Sequence, residues 1–217
     1  MRILCLHGSG TNSSVRAMRH ELGEGYENEF VEATITAPMA TGVEALSSPV
    51  HYAFFDPDDL PHTLRQAIDQ LDNYVSLEGP FDGILGFSAG SVLAAAYMLH
   101  KRQLSDQMPF KCAVFLSSAE SGEEFKSLGL HNTKKLIRVP TAHIWGLHDD
   151  RAPTGGEALS RMCDLTNCLI LVHNGGHELP RGSYLTEAVH IIERVGRLSR
   201  LSLQTDAHGG SSPINPH

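Results

Sequence analysis

The sequence has few cysteines, no excess of basic charge and no long apolar run. Its 217 residues include four cysteines, one tryptophan and 19% charged residues, and the net charge is −8. The cysteines lack both the density of a disulfide framework and the spacing of a zinc site. Without a basic stripe, nucleic acid is not an expected partner. No stretch reaches the roughly 20 apolar residues of a membrane helix, so no membrane association is expected.

The overall composition is typical of one globular enzyme domain. Apolar residues make up 41% of the chain, and 217 residues can bury a sizeable core. The first apolar run ends at His7, so no signal peptide is visible and a cytoplasmic location is expected. We expect one domain over residues 1–200 and a disordered tail over residues 201–217, where Gly, Ser and Pro accumulate.

A G-x-S-x-G motif occupies residues 86–90. The residues before it, 81–85, predict a short buried strand, and residues 91–102 predict a helix. A serine on a sharp strand-to-helix turn presents its hydroxyl above the sheet edge, and a Cβ at either flanking glycine would collide with the turn. This context makes Ser88 a candidate nucleophile, whereas the motif alone is also found in glycine-rich turns that merely contain a serine.

Two later strands lead into the partners that a serine nucleophile needs. Residues 141–146 predict a strand that is followed by Asp149, and residues 168–172 predict a buried strand that leads to His177. A serine hydroxyl needs an imidazole to accept its proton, and the imidazole needs a carboxylate to fix its tautomer. The chain order serine, acid, histidine is that of α/β-hydrolases, so Ser88, Asp149 and His177 are the predicted catalytic residues.

Each predicted partner has an alternative close by. His173 also follows the last strand, but the two glycines before His177 allow the backbone to turn back toward the serine. Asp150 is the alternative to Asp149, which the spacing from Gly146 favours. His173 and His177 would form a metal pair only on a helix, and the intervening Asn-Gly-Gly is a poor helix former. No metal and no cofactor are therefore expected.

A glycine-containing loop follows the first predicted strand, residues 2–6. Acyl transfer forms a tetrahedral oxyanion that is stabilised by preorganised N–H donors. One donor normally belongs to the residue after the nucleophile, here Ala89. The glycines around Ser9 let the backbone approach the site, so the Ser9 N–H is the predicted second donor. His7 is expected to hold this loop. The alternative, a phosphate-binding loop, lacks the third glycine of a dinucleotide motif and the lysine of a Walker motif.

Two long loops are candidates for the substrate pocket. Residues 36–60 carry Tyr52, Phe54 and Phe55, which either line an acyl channel or pack beneath the loop. Residues 117–138 follow another strand and are a candidate partial lid. Neither segment is long enough for a large cap domain.

The remaining pattern alternates strands with helices. Such alternation favours an α/β fold with a mostly parallel central sheet and helices on both faces. The further candidate strands are residues 30–35 and 112–116, and the further candidate helices are residues 13–22, 59–75, 157–162 and 184–201.

Three blocks of the sequence resemble the fungal serine hydrolase (FSH) family of α/β-hydrolases, namely residues 4–13, 81–90 and 173–180. The resemblance spans nearly the whole chain. It implies an α/β-hydrolase fold, and the family's nucleophile, acid and histidine fall on Ser88, Asp149 and His177.

Within that family, the opening His-Gly-x-Gly-Thr-Asn-Ser and residues 52–57 are similar to members found beside polyketide synthases. The resemblance implies an esterase or thioesterase that releases a polyketide acyl chain from the acyl carrier domain of a polyketide synthase. General carboxylesterase or acyltransferase activity would use the same residues, and a non-catalytic ligand-binding homologue is the alternative of a different class. The cations considered for carrier docking, which are otherwise ordinary surface, are Lys101, Arg102, Lys134 and Lys135.

Overall fold

The structure is a computed structural model that describes residues 1–12, 25–41, 50–105, 107–130 and 136–208, with residues 202–208 described by their backbone only. The helix predicted over residues 13–22 lies outside the described residues, as do Lys134 and Lys135.

A six-stranded parallel sheet forms the centre of the described structure, in the spatial order β2-β1-β5-β6-β7-β8. Two further strands, β3 and β4, pair antiparallel in a small separate sheet. The strands are β1 (Arg2–Leu6), β2 (Glu27–Val31), β3 (Ile35–Thr36), β4 (Tyr52–Ala53), β5 (Gly83–Phe87), β6 (Cys112–Leu116), β7 (Thr141–Gly146) and β8 (Cys168–His173).

Helices cover both faces of the sheet. They are α1 (His62–Glu78), α2 (Ala89–Leu104), α3 (Gly122–Ser127), α4 (Gly155–Ser160) and α5 (Ser183–His208), with 3-10 turns at Pro57–Asp59 and Leu165–Asn167. One buried cluster includes Leu64 of α1 and Leu93 of α2, and a second includes Ile192 and Val195 of α5. The predicted α/β class is therefore confirmed. Within the described residues, no helix has both the length and the apolar character required to cross a bilayer.

The central strands β5 and β6 are apolar along their whole length because both of their faces are buried. All five residues of β6 are buried, and its register with β5 pairs Gly83 with Cys112 and Phe87 with Leu116. Parallel pairing brings the carboxyl ends of β5 to β8 to one edge of the sheet, which is where open α/β sheets hold their sites.

Two elements differ from their sequence predictions at the ends. The second strand is Glu27–Val31 rather than residues 30–35. Among the described strands it pairs only with β1, so polar residues can occupy its exposed side and belong to the strand. The last helix continues past the predicted end near Leu201 to His208, since no Gly or Pro lies between Leu201 and Gly209. It thus enters the segment for which the sequence predicts a disordered tail.

Helix α1 and the two long loops also differ from the predictions in detail. The helix begins at His62 and not near Asp59, because the residue before a proline is disfavoured in the helical conformation, and Leu60 is extended at φ −84° and ψ 145°. Pro61 occupies the N-cap position. The segment 36–60 contains β4 and a 3-10 turn, and the segment 117–138 contains α3.

Candidate active site

Ser88 occupies a strained turn between β5 and α2. Its backbone angles are φ 55° and ψ −120°, which an L-residue adopts only where the surrounding structure enforces them. The Ser88 N–H donates to the Leu116 carbonyl at the end of β6, at 2.9 Å. This hydrogen bond fixes the turn against the neighbouring strand and leaves the hydroxyl above the sheet edge.

The two glycines of the motif are required by close backbone approaches. A Cβ on Gly86 would lie 2.5 Å from the carbonyl of Gly90, and a Cβ on Gly90 would lie 2.5 Å from the Leu6 oxygen. Both separations are well inside van der Waals contact, so any side chain would push α2 away from the strands. The G-x-S-x-G spacing is therefore explained by the packing of this turn.

A chain of hydrogen bonds connects the serine, the histidine and the acid. The Ser88 Oγ lies 2.8 Å from His177 Nε2, and His177 Nδ1 lies 2.7 Å from Asp149 Oδ2. Because a carboxylate can only accept, Nδ1 carries the proton, and Nε2 is left to accept from the serine hydroxyl. The side chains of His177 and Asp149 are only 9% and 3% exposed, so water competes little with these bonds.

The carboxylate of Asp149 is fixed by the loop that follows β7. Its Oδ1 accepts from the backbone N–H groups of Arg151 at 3.1 Å and Ala152 at 2.9 Å, which leaves Oδ2 for His177. The neighbouring alternative, Asp150, has an exposed side chain. The structure thus brings Asp149, and not Asp150, to the histidine.

The loop after β8 folds back over the end of β7. The N–H groups of Leu147 and His148 donate to the carbonyls of His173 and Gly175, at 2.8 and 2.9 Å. A Cβ on Gly146 would overlap the carbonyl oxygens of this loop, so the approach requires glycine there. The loop carries His177 from the end of β8 across the sheet edge to Ser88.

His173, the alternative base, has a different position. It is 3% exposed, its Nδ1 accepts from the Gly175 N–H at 3.1 Å, and its ring lies 6.3 Å from that of Tyr184. Burial lowers the pKa of His173. Since Ser88 and Asp149 engage both nitrogens of His177, that ring has no nitrogen left for a metal shared with His173.

The two predicted oxyanion donors flank the serine. Ala89 is the first residue of α2, so its N–H has no acceptor within the helix and lies at the positive end of the helix dipole. On the other side, a Cβ on Gly8 would lie 3.1 Å from the Ser88 Cβ, which shows how closely the first loop approaches. Ser9 follows directly and is exposed.

His7 anchors that first loop. Its Nε2 accepts from the Ala33 N–H at 3.1 Å, and its Nδ1 therefore donates to the Gly8 carbonyl at 2.8 Å. The Thr11 hydroxyl donates to the same carbonyl at 2.6 Å. Burial lowers the pKa of His7, which favours the neutral ring that this arrangement needs.

The three aromatic residues predicted to line a pocket lie next to this loop. The backbone of Tyr52 pairs with Gly10 and Thr11, at 2.9 and 2.8 Å. Phe54 and Phe55 belong to the buried core, and the Phe54 ring lies 4.7 Å from that of His7. These contacts support the loop after β1, whereas a lining role for the three residues stays a prediction.

The two described cations considered for carrier docking, Lys101 and Arg102, do not present an open basic surface. Lys101 forms an ion pair with Asp72 at 2.8 Å, and Arg102 is buried. Any attraction between this part of α2 and an acidic partner is therefore weakened by the neighbouring carboxylate and by burial.

One residue at the site was not found from the sequence. Ser117, directly after β6, has a φ of 38°, and its hydroxyl donates to the carbonyl of Glu178 at 2.9 Å. Nothing in the surrounding Leu-Ser-Ser-Ala indicates a left-handed residue, because the residues enriched in that conformation are glycine, asparagine, aspartate and histidine.

A parallel sheet with a strained serine between a strand and a helix, facing a histidine and an acid from later strand ends, defines an α/β-hydrolase. The chain belongs to the serine hydrolase (FSH1) family, whose model matches residues 1–189. It is 38% identical over 197 residues to Esterase FPY3 of Fusarium mangiferae, covering 83% of this chain and 89% of that protein. The resemblance identified from the three sequence blocks is confirmed, and the chain is an ester-cleaving enzyme.

Solved structures share the fold at much lower sequence identity. SOBER1 of Arabidopsis thaliana superposes with a TM-score of 0.61 at 17% identity, covering 90% of this chain and 98% of that one. RedJ, the thioesterase from the prodiginine biosynthetic pathway of Streptomyces coelicolor, gives 0.58 at 15% identity and covers 90% of both chains. These neighbours extend the fold assignment over most of the chain.

Proposed function

We propose that the chain hydrolyses esters or thioesters with Ser88 as nucleophile, His177 as general base and Asp149 as the acid that orients the histidine. The observation that supports the proposal is the continuous pair of hydrogen bonds, 2.8 and 2.7 Å, that links the three side chains in a buried setting. Side chains 28 and 89 residues apart along the chain meet in the order that acyl transfer needs.

In the proposed reaction, Ser88 Oγ attacks the acyl carbonyl while its proton passes to His177 Nε2. The developing oxyanion accepts from the N–H groups of Ser9 and Ala89. The imidazolium, stabilised by Asp149, then protonates the leaving thiol or alcohol, which leaves an acyl-serine. Water loses a proton to His177 and attacks this ester. The resulting tetrahedral intermediate collapses as His177 returns that proton to Ser88 Oγ, which releases the acid and restores the free serine.

For the substrate, we propose a polyketide acyl chain held as a thioester on the phosphopantetheine of an acyl carrier domain. The likeness of the first loop and of residues 52–57 to polyketide-associated family members supports this choice. A fold shared with a thioesterase of a biosynthetic pathway is compatible with it. Assaying acyl-pantetheine thioesters against p-nitrophenyl esters of the same chain length tests the preference. A higher kcat/KM for every oxoester would contradict the thioester proposal and favour a general carboxylesterase.

The catalytic proposal itself is tested by a fluorophosphonate probe, which reacts only with an activated serine. We expect the wild-type protein to be labelled and the Ser88→Ala variant to remain unlabelled. Ser105→Ala is the matched control, because Ser105 is an exposed serine at the far end of α2 and should leave labelling unchanged. A folded wild-type protein that takes no label would favour the non-catalytic, ligand-binding alternative.

A further inference from the structure

The end of β6 touches both halves of the proposed catalytic pair. The Leu116 carbonyl accepts the N–H of Ser88, and the next residue, Ser117, donates its hydroxyl to the carbonyl of Glu178. Glu178 directly follows His177, so the last residue of β6 holds the nucleophile and the residue after it holds the segment next to the base. We propose that Ser117 is a positioning residue that fixes His177 over Ser88, an inference that rests on the proposed function.

The backbone of Ser117 shows that the serine is kept at a conformational cost. Its φ of 38° lies in the left-handed region, and Ser88 is the other described non-glycine residue with a positive φ. Holding such a residue is energetically unfavourable, whereas glycine adopts the conformation freely. A glycine would fit this turn better and would lack the hydroxyl. The bond from that hydroxyl to Glu178 is therefore the feature that the serine adds.

Burial makes this bond effective. Ser117 is 1% exposed, and its own N–H donates to the Ile144 carbonyl of β7 at 2.8 Å, so the residue is fixed to the sheet on both sides. The histidine loop crosses β7 to reach Ser88, and the segment before His177 contains two glycines that restrict the backbone little. A hydroxyl from the rigid end of β6 restrains this segment just beyond His177. Without it, we expect the imidazole to sample positions away from Ser88.

The experiment compares Ser117→Gly with Ser118→Ala. The first variant removes the hydroxyl and relieves the backbone, and the second removes a neighbouring buried hydroxyl that donates only to the Ala119 carbonyl. For Ser117→Gly we expect kcat to fall about 10- to 100-fold with KM within about twofold, because misplacement of a catalytic group by about 1 Å has effects of this size. Its melting temperature should equal or exceed that of the wild type. Ser118→Ala should retain wild-type kcat.

Wild-type kcat in Ser117→Gly would overturn the inference, as would a loss of kcat no larger than that in Ser118→Ala. A Ser117→Ala variant, which lacks the hydroxyl and keeps the strained Cβ, should lose kcat to a similar extent and also be less stable. If Ser117→Ala fails to fold, Ser117→Gly still decides the question.

A second readout separates this inference from the proposed function. The Nδ1 proton that His177 shares with Asp149 gives a downfield NMR resonance, which should broaden or disappear in Ser117→Gly and persist in Ser118→Ala. If the wild type hydrolyses no ester and takes no phosphonate, the proposed function fails and the resonance alone tests the positioning role. An unchanged resonance in Ser117→Gly would then overturn that role.

Discussion

The loop after β1 and the loop after β8 are built alike and present different groups to the serine. Each begins with a buried histidine at the end of a strand, His7 or His173, whose ring bonds to the glycine-containing backbone that follows. In the proposed reaction, the first loop contributes the backbone N–H of Ser9. The second offers a side chain, that of His177, whose two nitrogens are both engaged.

The two anchoring histidines differ in tautomer. His7 accepts through Nε2 and donates through Nδ1, whereas His173 accepts through Nδ1 from Gly175. Both rings work as neutral supports, and burial lowers both pKa values. A position at a strand end near the site therefore does not by itself make a histidine a candidate base. What distinguishes His177 is that its Nε2 contacts the hydroxyl of Ser88, the residue on the strained turn.

Removing the two histidines of the second loop gives the largest expected contrast. His177→Ala should reduce kcat/KM by at least about 10³-fold, since loss of the base leaves only binding and oxyanion stabilisation. His173→Ala should retain at least about a tenth of the activity, because its ring contacts the loop and not Ser88. Steady-state kinetics on one activated ester measures both. Equal losses in the two variants would contradict the separation of roles.

Replacing one glycine of each loop by alanine tests how well each loop tolerates an added side chain. A Cβ on Gly8 would lie 3.0 Å from the Phe87 ring and 3.1 Å from the Ser88 Cβ, so we expect Gly8→Ala to lower kcat about 10-fold or more through displacement of the oxyanion loop. A Cβ on Gly176 would meet only the His148 carbonyl, at 3.5 Å, and Gly176→Ala should stay within about threefold of the wild type. A more active Gly8→Ala than Gly176→Ala would show that the second loop is the tighter one.

Acid should destabilise the protein through its buried neutral histidines. Besides the two loop histidines, burial lowers the pKa of His143 to about 3. The unfolded chain gains protons below about pH 6.5 that the native state does not bind, so the stabilising contribution of these histidines is level above about pH 7 and falls as the pH drops. For His143 alone the loss at pH 5 is about 2 kcal/mol. Urea unfolding at pH 7.5 and pH 5 measures it.

His143→Leu provides the control for this pH effect. Both ring nitrogens of His143 lack a hydrogen-bond partner in the described structure, so the variant removes one titrating group and breaks no bond. The difference in stability between pH 7.5 and pH 5 should shrink by about 2 kcal/mol. An unchanged difference would assign the acid sensitivity to other groups.

The central strands and the three proposed catalytic side chains could be predicted from the sequence. The contacts that hold them in place could be predicted less well. Strands β5 and β6 are apolar because both faces are buried, and Ser88 stands out because its flanking glycines are imposed by the turn. The ends of β2 depend on its solvated surface. The end of α5 depends on the absence of a glycine or proline that would stop the helix. The role of Ser117 depends on a carbonyl 61 residues away, which no local pattern can indicate.

The strand β8 lies at the end of the described sheet, and its pairing with β7 sets where the base arrives. Gly146 is paired with His173, while Leu171 faces inward and Ile170 and Val172 remain about half exposed. A slip of one residue would reverse these faces and carry the following loop along by about 3.3 Å, more than the length of a hydrogen bond. The alternation of buried and exposed side chains along β8 therefore sets the alignment of the His177 imidazole with Ser88, although these strand residues lie away from both groups.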